Sequence, residues 1–216
     1  MRLQALTTCA AAVGALALPF TLAVPAASAT SGGAGSAFAI SASGPVAIPA
    51  TPSVTSTAQK PERKSVAELP ANPLVRAGVL NAAAWSGHGR ASVADLDVPR
   101  LGLSAGAVTA KCENGNGVSN LVRATLNGKK LKAAATPNST VNVDLKGLGN
   151  ATVTLNRHVR DKDGSLTITA IEVRATVAGK TQKISIASVT CGKGGKEPGK
   201  PSTPGKPGGD PSTPPA

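Results

Sequence analysis

The stretch Thr140–Cys191, TVNVDLKGLGNATVTLNRHVRDKDGSLTITAIEVRATVAGKTQKISIASVTC, decides the fold class. Val141, Val143 and Leu145 alternate with Thr140, Asn142 and Asp144. Beyond Lys146–Asn150, Val153, Leu155 and Val159 alternate with Thr152, Thr154, Asn156 and His158. Asp161-Lys162-Asp163-Gly164 reads as a turn, after which Leu166, Ile168 and Ala170 point inward. A period of two marks half-buried strands. The phase then slips, because Ile171, Val173, Ala175 and Val177 carry the apolar set. A one-residue slip inside a strand is the sequence mark of a β-bulge. Ile184 and Ile186 followed by Val189 place a second slip near Ala187.

Outward from this stretch the same grammar continues. Ser36–Pro49 holds two apolar runs around Ser43-Gly44-Pro45 and reads as a small hairpin or two edge strands. Ala50–Asn72 is rich in Pro, Ser, Thr and charge, and is expected to be a surface excursion. Leu74–Ser86 and Ala91–Val98 flank Gly87-His88-Gly89-Arg90, a second hairpin. Within it Ala94, Leu96 and Val98 are expected on one face, with Asp95 and Asp97 on the other. Leu103–Cys112 runs into Glu113-Asn114-Gly115-Asn116-Gly117, whose Asn-Gly pairs supply the positive φ angles of tight hairpin turns. Val118–Leu126 returns, and Asn127-Gly128 turns the chain again. No segment past residue 30 carries a 3.6-residue apolar stripe. Short strands at regular spacing predict an all-β fold, a single antiparallel β-sandwich or partly closed barrel. Aromatics make up 1% of the chain, so its core must be Val, Ile, Leu and Ala.

The two ends read differently. Met1–Ala29 has a short basic start, an apolar run over Ala10–Val24, and Ala27-Ser28-Ala29 as a small-residue exit. Those parts in that order are a secretory signal, cleaved between Ala29 and Thr30. Cys9 precedes the apolar run, the wrong place for a lipoprotein cysteine. Gly192–Ala216 is a Pro/Gly/Lys-rich tail, expected to be disordered because it has too few apolar side chains to pack. The expected organisation is a signal over 1–29, one secreted β domain over 30–191 and the tail over 192–216, with no membrane span in the mature chain.

The net charge is +12, with the basic residues scattered apart from Lys129-Lys130-Leu131-Lys132. Such a charge favours solubility and loose contact with polyanions. Outside a cell these are anionic cell-wall polymers, acidic glycans or extracellular DNA. Sequence-specific nucleic-acid binding is not expected. Single-strand binders need stacking platforms, and Phe38 and Trp85 are the sole aromatics after the signal.

Cys112 and Cys191 are the two cysteines left after cleavage. In an exported protein an isolated pair reads as a disulfide. It would close a loop of about 80 residues, worth roughly 4.5 kcal/mol in the chain-entropy model. Chemistry-bearing residues are few. His88 sits among turn residues, and His158 among outward-facing Thr and Asn. Ser86-Gly87-His88 is too local to be a catalytic triad. Asp95 and Asp97 share one expected strand face, a spacing that could suit a glycosidase pair, but the sugar-stacking aromatics are missing. Asp161, Asp163 and Glu172 match three positions of a calcium loop, yet Leu166 stands where its glycine belongs. No catalytic residue, metal or cofactor is expected.

Several segments together carry a resemblance: SAFAISASGPVAIPATP, ASVADLDV, LSAGAVTAKCENGNG, TLNGKKL, ATPNSTV, VTLNRHVRDKDGSLTITAIEV and IASVTC. Across Ser36–Cys191 the chain resembles actinobacterial secreted surface proteins of the choice-of-anchor type, the choice-of-anchor P group. The resemblance implies export and surface display without enzymatic activity. The chain has no LPxTG, so free secretion or retention by the basic tail is expected over covalent wall attachment. The expected role is structural or adhesive, in the medium or at the cell wall, with a secreted binding module (protease inhibitor or polyanion binder) as the alternative.

Overall fold

A computed structural model describes residues 33–145, 149–177 and 179–192. The expected signal over 1–29, its expected cleavage between Ala29 and Thr30 and the tail from residue 193 lie outside the described residues. Thirteen strands are described: β1 Gly35–Ser43, β2 Ile48–Ser56, β3 Glu62–Val66, β4 Leu80–Trp85, β5 His88–Val98, β6 Leu103–Glu113, β7 Asn116–Val122, β8 Thr125–Leu126, β9 Lys129–Lys130, β10 Ser139–Leu145, β11 Gly149–Arg160, β12 Leu166–Val177 and β13 Lys180–Cys191. One 3-10 turn, Pro99–Leu101, joins β5 to β6. The first sheet has the order β10-β11-β12-β13-β1-β2, and the second β3-β4-β5-β6-β8-β9, with β7 also on β6. All pairings are antiparallel.

The two sheets pack face to face as a β-sandwich. Neither closes on itself, so the barrel alternative is set aside. The core between them is aliphatic, with Ile40, Leu80, Leu96, Leu103, Ile168, Ile171 and Ile186 fully buried. β-Branched side chains fit such pleated inner faces.

Local sequence explains the connections. Asn114-Gly115 and Asn127-Gly128 both have positive φ at each residue, as a two-residue hairpin turn requires. Asn116-Gly117, by contrast, lies within β7. The second hairpin turns at Ser86-Gly87, which leaves His88, Gly89 and Arg90 on β5 and not in the turn. The expected excursion over Ala50–Asn72 is only partly one. β2 extends to Ser56, and β3 forms at the edge of the second sheet. Edge strands tolerate the exposed charges of β3 that obscured its pattern.

The phase slips occur where expected, but they are not one-strand bulges. Ile168 pairs with Val189 and Ile171 with Ile186, so no residue is inserted between β12 and β13. Both strands change phase in the same row, with Ala170 opposite Ala187. The row continues through Asn156 on β11, and through Ala39 on β1 to Pro52 on β2. Asn156 and Ala187, on alternate strands, have φ of 49° and 50°. The second sheet repeats the device along Asp95, Gly106 and Arg123, with φ of 47° at Asp95 and 50° at Arg123. A bulge on one strand would shift register and send every later side chain to the wrong face. A matched row switches all faces together and keeps the pairing. Two expectations change as a result. Ala94 is half-buried while Ala91, Val93, Leu96 and Val98 are buried. His158 comes to the side of its partner Ile168, and Val159 leaves it.

The sandwich is tight at one end. A Cβ on Gly35 would strike the carbonyl oxygens of Trp85 and His88 across the sheet interface. Gly89 lies equally close to the backbone of β1, 2.7 Å from Ser36 O for an added Cβ. Carbonyl oxygens in a ladder cannot rotate away from such a clash. Gly35→Val is therefore expected to lower stability by about 1–3 kcal/mol or more. The check is a urea midpoint, and an unchanged midpoint would refute the close approach.

Candidate functional site

The outward face of the second sheet collects the chemistry of this chain. Along β4 the residues Asn81, Ala83 and Trp85 alternate with Leu80, Ala82 and Ala84 of the core, and Ala83 is buried beneath its neighbours. Across the Ser86-Gly87 turn, pairing puts Trp85 beside His88, Ala83 beside Arg90 and Asn81 beside Ser92. On the next strand Glu113 stands beside His88, Lys111 beside Arg90 and Thr109 beside Ser92. Arg63 of β3 completes the row on the other side of Ala83.

Three rows result. The first holds Trp85, His88, Glu113 and Asn116. The Trp85 and His88 rings stack with centroids 4.7 Å apart and planes 9° from parallel. His88 Nδ1 lies 2.6 Å from the Ser86 carbonyl, which can only accept, so that nitrogen carries the hydrogen. Its Nε2 lies 3.5 Å from Glu113 Oε1. The second row is Arg63, Ala83, Arg90, Lys111 and Val118. Lys111 Nζ meets Glu113 Oε2 at 3.1 Å. This hydrogen bond and the charge of Lys111, with His88 adding less, hold the Glu113 carboxyl below its ordinary value. Arg63 and Arg90 make no ion pair among the described residues. The third row, Ser65, Asn81, Ser92, Thr109 and Asn120, is neutral and polar. Ser65 Oγ donates to Asn81 Oδ1 at 2.7 Å, and Asn81 Nδ2 donates to Ser92 Oγ at 3.3 Å.

Strands stand about 4.8 Å apart, so Arg90 and Lys111 are cross-strand neighbours of like charge. Such a pair destabilises a sheet unless an anion lies between them. Glu113 engages Lys111 and leaves the guanidinium groups of Arg63 and Arg90 facing solvent. A flat aromatic step, a cationic row and a row of amides and hydroxyls suit an extended acidic polymer laid across the strands.

The other residues singled out from sequence are placed as follows. Cys112 and Cys191 form a disulfide between β6 and β13, with Cα atoms 5.8 Å apart, joining the two sheets at the tight end. His158 is half-buried. Burial, then the charge of Arg160, pushes its pKa down, and its Nε2 contacts Asn156 Oδ1 at 2.9 Å. Asp95 and Asp97 form no carboxylate pair. Asp97 binds Arg76 at 2.7 Å, and Asp95 lies in the phase-slip row. Asp161 and Asp163 serve their own turn, where Ser165 N donates to Asp163 Oδ1 at 2.8 Å and lowers its pKa. Glu172 is far from that turn in the fold, buried on the outer face of the first sheet under Arg157, Arg174 and Lys183. The calcium-loop pattern therefore does not assemble. Among the described residues no group of three or more His, Cys, Asp or Glu could hold a metal ion. Among the same residues no helix is long and apolar enough to cross a membrane.

Sequence reasoning missed the site as a unit. The period-two set Asn81, Ala83, Trp85 and the Gly87 turn signal could have revealed its centre. Arg63 and Lys111 come from pairings that local pattern does not encode. No family model, curated protein or solved structure matches the chain.

Proposed function

We propose that this protein is an exported, non-enzymatic β domain with an adhesive role at the cell envelope. In this reading it holds anionic wall polymers or acidic glycans on the outward face of the second sheet. The observation that carries it is the row Arg63, Arg90 and Lys111 beside the Trp85–His88 stack. The secretory signal over Met1–Ala29 and the resemblance to choice-of-anchor surface proteins support the location. The net charge, +12 for the whole chain and +11 without Arg2 of the signal, supplies long-range attraction, and the row supplies the place. No observation favours a protease inhibitor over this reading.

The test is retention of the purified protein on isolated cell walls and on an immobilised acidic polysaccharide across a salt series. An exposed cation near an anionic surface contributes about 1 kcal/mol. The triple variant R63A/R90A/K111A is therefore expected to bind on the order of 100-fold more weakly, with a shallower salt dependence. The control K129A/K130A/K132A removes the same charge from elsewhere and is expected to change binding far less. Equal losses in both variants would mean that net charge alone acts, and the site would be wrong.

A further inference from the structure

At the end opposite the disulfide the sheets part and form an open-mouthed apolar pocket of about 310 Å³. Val173 and Ala175 of β12, Ile184 of β13, Leu145 of β10 and Val98 and Leu101 at the end of β5 line it. Its volume lies at the small end of ligand pockets, enough for a single small molecule. The wall is preformed. Gln182 Nε2 donates to Ser43 O at 3.0 Å and Val46 O at 2.9 Å, while its Oε1 accepts from Val46 N at 3.0 Å. These bonds fix the β1–β2 turn, and with it Pro45, against the cavity edge. The charged residues among the lining are both cations, Arg100 and Lys180. Both are exposed, and neither meets a carboxylate within ion-pair distance among the described residues. An aliphatic interior with two cations at its lip matches an alkyl chain that ends in an anion.

We propose that this cavity is a binding site for one medium-chain fatty carboxylate, its tail between the sheets and its head between Arg100 and Lys180. The site is separate from the outward face of the second sheet and does not depend on the reading of that face. Its test is calorimetric titration of the full chain with hexanoate, octanoate, decanoate and dodecanoate below their micelle concentrations. Burying a methylene is expected to tighten binding about fourfold until the cavity is full. Decanoate should bind at least about tenfold more tightly than decylamine, and R100E/K180E should remove that preference. Ala175→Trp should abolish binding by filling the cavity, and R63A/R90A/K111A should leave it unchanged. Absence of saturable binding by any of the acids would overturn the proposal, as would equal affinity for decanoate and decylamine. Binding retained in a folded Ala175→Trp would do the same. So would binding of anionic vesicles without binding of the free acids, which would assign the surface to a membrane.

Discussion

Replacing Cys112 and Cys191 together with alanine is expected to cost about 2–5 kcal/mol of stability. The bond spans a sequence separation of 79 and links β6 of the second sheet to β13 of the first. Long loops gain most from closure, because the unlinked chain has the most freedom to lose. Both cysteines are fully buried, at 1% and 0% exposure. Serine replacements would add the cost of a buried hydroxyl, about 1–3 kcal/mol where it finds no partner. Alanine isolates the cross-link. The bond stands beside the close approach of Gly35 and Gly89 to the facing sheet. Its loss should therefore loosen the tight end first, with faster amide exchange at Gly35–Phe38 and at His88–Arg90. Guanidinium unfolding with and without reductant measures the effect. A fully reduced protein, verified by mass, with an unmoved midpoint would show that the bond contributes nothing.

Glu172→Ala is expected to cost about 2–3 kcal/mol. Glu172 is 2% exposed on the outer face of the first sheet. Its Oε1 accepts from Arg174 Nε at 2.7 Å and lies 3.2 Å from Arg157 Nε, while Oε2 lies 3.3 Å from Lys183 Nζ. Arg174 and Lys183 are cross-strand neighbours, so removing the carboxylate leaves like charges side by side. A charge-assisted hydrogen bond contributes about 1.5–3 kcal/mol. The three cations are partly exposed and regain water once the anion is gone. The loss therefore stays below the roughly 3–5 kcal/mol of a fully buried broken pair.

The same cluster predicts an acid limb. Burial pushes the Glu172 carboxyl up, but the Arg174 hydrogen bond and the charges of Lys183 and Arg157 outweigh it, so its folded pKa is lowered. A lowered folded pKa means the contribution is complete above the unfolded value of about 4.3. It is lost as pH falls through the folded value. Stability of the natural protein should drop below about pH 4.3, and Glu172→Gln should flatten that drop while lowering stability at pH 7. Parallel pH profiles for the two proteins between neutrality and acid would sink this assignment.

Much of the architecture is legible locally, and its limits follow from what is local. Val141, Val143 and Leu145 announce a strand by period alone, and Asn114-Gly115 announces a turn because few other pairs accept two positive φ values. The slips near Ala170 and Ala187 are visible because burial punishes a misplaced isoleucine. Their matching across five strands is not visible, since each strand shows only its own phase. His158 shows the consequence. Its neighbours suggest the surface, but the φ of 49° at Asn156 turns it toward Ile168. β3 escaped notice because an edge strand with four exposed residues carries no alternation.

By itself the sequence determined the all-β class, the cystine and the positive charge. These follow from side-chain period, from the two cysteines that lie beyond Met1–Ala29 and from simple composition. Tertiary structure alone decided which strands share a sheet. It thereby placed Arg63 beside Ala83 and Lys111 beside Arg90, buried Glu172 beneath three cations, and left an aliphatic cavity where the sheets diverge. Each of those depends on pairing between residues distant in the chain, and hydrogen bonds between strands carry no mark in the letters of either strand.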